Sequence, residues 1–109
     1  MVDESIVNSV RNYLRVLNDQ GLQVVFGIIF GSQVTGKSDQ WSDIDLLIVS
    51  PIFDNLNSRR ELNLLWRLAA RIDSCIEPIP CGERYWREDD SSAIVEIARR
   101  EGKKITLLE

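Results

Sequence analysis

Histidine is absent from this 109-residue chain, and that one gap removes several kinds of chemistry at once. No histidine general base, histidine-ligated zinc or Ser-His-Asp nucleophile can be assembled. Cysteine is scarce as well: Cys75 and Cys81 are the only two, and they lack Cys-x-x-Cys spacing. Two thiols cannot complete a structural zinc site, so both read as reduced, partly buried side chains. No apolar run approaches the roughly 20 residues that span a bilayer. The opening Met-Val-Asp-Glu-Ser has no basic segment followed by an apolar stretch, which leads to the expectation of a cytoplasmic protein with no membrane partner.

Repeats, low-complexity tracts and long linkers are missing too. With 44% hydrophobic residues, the chain fits one small domain, residues 1–109, around one core. An excess of positive charge is also lacking: 17 acidic residues face 13 basic ones, for a net charge of −4. Phosphate neutralisation supplies most nucleic-acid affinity, so nucleic acid is not the expected partner. The adjacent pairs Arg59-Arg60, Arg99-Arg100 and Lys103-Lys104 read as solvated surface.

The remaining chemistry rests on carboxylates, hydroxyls, amines or thiols, and residues 31–45 concentrate it. They read Gly-Ser-Gln-Val-Thr-Gly-Lys-Ser-Asp-Gln-Trp-Ser-Asp-Ile-Asp. Short apolar runs on either side, Val24 to Phe30 and Ile44 to Val49, have the composition of strands buried on both faces. Gly31 falls where the first strand ends. Lacking a Cβ, it lets the backbone turn sharply and lets a polyanion approach main-chain N–H groups. Ser32 adds a hydroxyl donor, Gly36 relaxes the next turn, and Lys37 offers a positive charge or a solvated side chain. Asp43 and Asp45 are two apart, so on a strand they share a face, roughly 6.6–6.8 Å apart along the backbone. Two like charges entering an apolar strand repel and resist burial. A hard cation relieves both penalties, and magnesium takes one or two carboxylates with water and substrate phosphates.

Gly-Ser, ten residues, then Asp-x-Asp and an apolar run resembles the signature of the polymerase-β-like nucleotidyltransferases, most closely their minimal single-domain members. The match covers Gly31 to Val49 without insertion. Many minimal members carry arginine after the Gly-Ser pair, where this chain has Gln33; the departure removes a phosphate contact. The resemblance implies an α/β (α+β) fold with a small mixed sheet packed with helices. It also implies ATP as nucleotide substrate, two Mg²⁺ ions, and a third acidic residue on a neighbouring strand.

The rest of the chain fits that layout. A first helix is expected from about Glu4 to Asn18, capped by Asp3 and stopped by Gly21. Strands follow at about Leu22 to Phe30 and Ile44 to Val49, with a loop or short helical turn over Thr35 to Gln40. Ser58-Arg59-Arg60-Glu61 has capping-box spacing and opens a helix to Ile72, its inward face being Leu62, Leu65, Trp66, Ala69 and Ile72. Ser74 to Pro80 reads as a short rim strand, since Pro78 and Pro80 remove two N–H donors from one edge. A last helix over Ser92 to Arg100 turns Ile94, Ile97 and Ala98 inward, with Gly102 as terminator, and Tyr85-Trp86 packs it on the sheet.

Glu77, flanked by Ile76 and Ile79, is the natural third carboxylate: adjacent strands lie roughly 4.8 Å apart, within reach of the same ions. Asp73, Asp54 and Glu83 are weaker substitutes. The plain alternative is a solvent-facing edge glutamate. Trp41 either packs on a base or a partner, or covers the sheet edge. In the resemblance, Gly31, Ser32, Gly36 and Lys37 hold the triphosphate. Asp43, Asp45 and Glu77 hold the metals, and an acceptor hydroxyl attacks the α-phosphorus. Minimal members are often antitoxins that add AMP to a tyrosine of a HEPN ribonuclease partner, which makes a HEPN-type protein the expected acceptor. Homo-oligomerisation is open. The alternative function is a non-catalytic antitoxin that masks its partner by contact, favoured by Gln33 and the proline-flanked Glu77. A small-molecule nucleotidyltransferase ranks last.

Overall fold

A computed structural model describes residues 2–35, 43–55, 59–88 and 92–107, with backbone alone at Ser32 and Thr35. Helix α1 spans Glu4–Asp19, and Asp3 caps it by accepting from the Ser5 N–H at 2.8 Å. Gly21 follows with φ +95°, the left-handed conformation that ends the helix. Val7, Val10, Tyr13, Leu14 and Leu17 recur on one buried stripe of α1. Strand β1, Phe26–Phe30, leads through Gly31 into a single turn, α2, Ser32–Thr35. Strand β2, Ile44–Ser50, is followed by a 3-10 turn at Pro51–Asp54. Helix α3, Arg59–Ile72, strand β3, Ile76–Gly82, helix α4, Glu83–Glu88, helix α5, Ala93–Glu101, and strand β4, Lys103–Ile105, complete the order.

The four strands form one mixed sheet in the order β3-β2-β1-β4. β1 runs antiparallel to both β2 and β4, while β2 and β3 are parallel. The expected rim strand is indeed at the rim. Its N–H at Ile76 bonds outward to the Asp73 carbonyl, so Pro78 and Pro80 also present their donor-less nitrogens to the open edge.

Alternation along β2 divides the core. Ile44, Leu46 and Ile48 join α1 and α3 on one face, in a cluster that includes Ile29, Leu65, Ala69 and Ile105. Leu47 and Val49 face the other way, with Phe26, Ile28, Phe30, Cys81, Val95 and Ala98. Tyr13 is wholly buried in the first cluster, and its hydroxyl satisfies itself by donating to the Leu65 carbonyl at 2.8 Å. On the second face Phe26 meets Trp86 edge-on at 5.5 Å, with Lys104 over Phe26 and Arg99 over Trp86. Arg99 also donates to the Trp86 carbonyl.

Several sequence expectations are corrected. Trp66 is not core: it stands 55% exposed. The buried stripe of α3 is Leu65, Leu68 and Ala69, and Trp66 lies one position round from it. Ile94 and Ile97 also face out, because α5 rests on the sheet through Val95 and Ala98. Of the Tyr85-Trp86 pair only Trp86 packs beneath α5; Tyr85 is 44% exposed. The first strand begins at Phe26 rather than Leu22; Lys103-Lys104 are exposed as expected, but they lie in a strand that the sequence did not suggest. Both cysteines are free, Cys81 buried and Cys75 partly so. Ser58, the expected cap of α3, and Trp41 lie outside the described residues.

Candidate functional site

The acidic end of β2 is built by register. Asp45 sits opposite Phe30 across the antiparallel ladder and opposite Glu77 across the parallel one. Paired residues in neighbouring strands point to the same face, so Asp45 and Glu77 project together. It is the face of Leu47 and Ile79, away from α1 and α3. Asp43 lies just before the strand, and the Ile44 N–H bonds to the Cys75 carbonyl at 2.7 Å, extending the pairing with β3 to that point. Of seven β2 residues, all are buried except Asp45.

The electrostatics record the crowding. Burial pushes the Asp45 carboxyl above its ordinary value; a hydrogen bond with Glu77 partly offsets this, and the charge of Asp43 adds to the rise. The Glu77 carboxyl is also raised, first by its hydrogen bond with Asp43, then by burial and by the charges of Asp43 and Asp45. A carboxyl held by other carboxylates prefers to keep its proton. The three acids thus interact with one another.

Gly31 has a second reason to be glycine. Its φ is +77°, in the left-handed region, and a Cβ there would collide with Asp45 Oδ2. The strand-ending turn and the carboxylate are therefore in direct apposition, and any group held by Asp45 lies beside that turn.

Gln33 was legible only as a missing arginine, but it is 5% exposed and donates from Nε2 to the Asp43 carbonyl at 3.3 Å. It braces the start of β2 against α2. Only the amide's reach across ten residues reveals this; local sequence carries no signal for it. Asp73, one of the substitutes for the third carboxylate, is engaged elsewhere. Its oxygens accept from Ser9 Oγ at 2.9 Å and from the Cys75 N–H at 3.0 Å, shaping the turn into β3. Asp54 accepts from the Arg84 N–H at 3.2 Å and abuts Gly82, at the far end of β3. Glu83 begins α4 at that same end. Gly36 and Lys37 lie outside the described residues, and of Ser32 the backbone alone is placed, in the first turn after Gly31.

Among the described residues, no group of three or more His, Cys, Asp or Glu side chains forms a ready-made metal cage. Magnesium does not require one, since substrate phosphates and water fill most of its coordination sphere. The donor set fits: hard oxygens, three mutually repelling acids, and a backbone turn held open by glycine. None of the helices among the described residues is long and apolar enough to cross a membrane.

A protein-family model described as a nucleotidyltransferase domain matches residues 10–104. No curated protein matches the chain. Among solved structures, a crystal structure of a toxin-antitoxin with AMP-PNP superposes with a TM-score of 0.58 at 22% identity, covering 86% of this chain and 70% of that one. At that identity the likeness concerns the fold.

Proposed function

We propose, from the premise that this chain belongs to the nucleotidyltransferase domain family, that it acts as a minimal member of that family in the cytoplasm. It transfers AMP from ATP to a hydroxyl on a partner protein of HEPN type, in an antitoxin role. The observation that carries this reading is the in-register pair Asp45–Glu77, facing Asp43 on one side and the Gly31 turn on another.

Asp43, Asp45 and Glu77 would hold magnesium, which when bound neutralises the phosphoryl charge and orients the attacking and departing oxygens. The Gly31 turn and Ser32 seat the triphosphate next to Asp45, with Gly36 and Lys37 as further contacts. The acceptor oxygen bonds to the α-phosphorus as the bond to the β-phosphate oxygen breaks, and pyrophosphate departs. The hydroxyl proton would pass to Glu77, the carboxylate on the side away from the Gly31 turn. Catalysis here is positioning and charge compensation. The toxin-antitoxin neighbour with AMP-PNP supports extending a nucleotide and a protein partner to this chain.

The masking alternative drew on Gln33 and the proline-flanked Glu77. Gln33 now has a bracing role, and Glu77 lies in register with Asp45. The test uses α-labelled ATP, magnesium and a co-expressed HEPN-type partner. Label should appear on the partner and vanish with Asp43→Asn/Asp45→Asn. An absence of label, with that double variant still neutralising the partner, would leave contact masking as the function.

A further inference from the structure

Past the acidic end, the same face of the sheet runs on into an apolar groove. Side chains two apart on a strand share a face, so Leu47 follows Asp45 and Ile79 follows Glu77. Both line a cavity of about 430 Å³ together with Phe53, Pro80, Tyr85 and Ile94. Tyr85 and Ile94 remain exposed in the monomer, and so does Ile97, one turn further along α5. Large apolar side chains clustered in water beside a groove mark a contact surface.

Position decides what the groove receives. An in-line displacement needs the attacking oxygen opposite the departing pyrophosphate. The Gly31 turn stands at the β1 side of Asp45, and Glu77 on β3 stands at the other. The acceptor therefore arrives over β3, and the groove follows β3 from Ile79 to Gly82. Its lining decides the chemistry. Among the described residues Asp54 is the one charged group in the lining, so a phosphate-bearing acceptor meets repulsion. Most hydroxyls of a sugar would press against Leu47, Ile79, Pro80 and Ile94, with Tyr85 and Ser92 the few neutral polar side chains there. We infer that this groove docks a protein segment with apolar side chains flanking the acceptor hydroxyl. The inference rests on the transfer reading above, and Tyr85, Ile94 and Ile79 set acceptor choice without touching the nucleotide.

The test titrates the ¹⁵N-labelled full chain, with magnesium and a non-hydrolysable ATP analogue, against capped Leu-Ser-Leu, Leu-Thr-Leu and Leu-Tyr-Leu peptides. Capped Asp-Ser-Asp and a short oligoribonucleotide with a free 3′-hydroxyl serve as comparators. Amides of Leu47, Ile79, Cys81, Tyr85 and Ile94 should shift to saturation with at least one leucine peptide and with neither comparator. Ile94→Asp should weaken that binding about tenfold, with Ile94→Ser as a milder variant and melting curves as the folding control. The docking proposal is overturned if every leucine peptide leaves these amides unmoved, if the oligoribonucleotide moves them instead, or if both folded variants bind as the parent does. The transfer reading fails on separate grounds: a Gly31 amide indifferent to magnesium and nucleotide, or an Asp45→Asn variant that still transfers label to the partner.

Discussion

At the scale of single residues, the site sets function against stability. Asp45 interrupts a strand that is otherwise buried, and its carboxyl resists ionising there. Removing the charge should relieve the fold even as it abolishes chemistry. Asp45→Asn is expected to raise stability in chelator by about 0.5–2 kcal/mol, read from urea unfolding, and to lower transfer by roughly 10³ or more. A parent protein more stable than the variant under those conditions would contradict the crowding described here. The pH dependence follows with a definite sign. Asp45 and Glu77 have folded-state values raised above their unfolded ones, so the native state retains protons that the unfolded chain releases. Their contribution is fully present below the unfolded carboxylate range and is lost as pH rises through the raised folded values. Stability in chelator should therefore fall from about pH 4 toward neutrality more steeply in the parent than in Asp45→Asn, and millimolar magnesium should flatten the difference.

At the scale of elements, what the sequence disclosed depended on how local the cause was. α1 was legible because one stripe of five apolar residues, an aspartate cap and a glycine stop all lie within a few turns. β1 and β2 were legible as apolar runs, and the rim position of β3 from its prolines. β4 was not, since three residues with two lysines become a strand only by pairing with Gly27 to Ile29 across the molecule. Trp66 and Ile94 were misplaced because helical spacing fixes a stripe only to within one position, and the neighbouring layer decides which. Within the site, the Asp43–Asp45 spacing and Glu77 were readable. The glycine–carboxylate apposition and the Gln33 brace were not, because both join distant residues and, unlike the third acid, neither is implied by the resemblance. Gln33→Ala tests the brace. Loss of one partly buried hydrogen bond should cost about 1 kcal/mol, while the magnesium concentration for half-maximal transfer rises several-fold as the Asp43 segment loosens. A variant with parental magnesium dependence would reduce Gln33 to a packing residue.

At the scale of the whole molecule, the sheet has two outer strands and protects each differently. β3 turns Pro78 and Pro80 outward, and β4 exposes Lys103 and Lys104. Association by adding strands to β3 is thereby disfavoured. Pro78→Val/Pro80→Val restores two outward N–H groups and should promote concentration-dependent self-association, detectable by light scattering, where the parent stays unchanged. The prolines have another effect. If β3 slid by one residue against β2, both rings would swing inward, two ladder hydrogen bonds would be forfeited, and Glu77 would flip to the far side of the sheet. The one-residue slip that would part Glu77 from Asp45 is thus the one the prolines penalise, so copies with the acids on opposite sides of the sheet are disfavoured before any ligand is met.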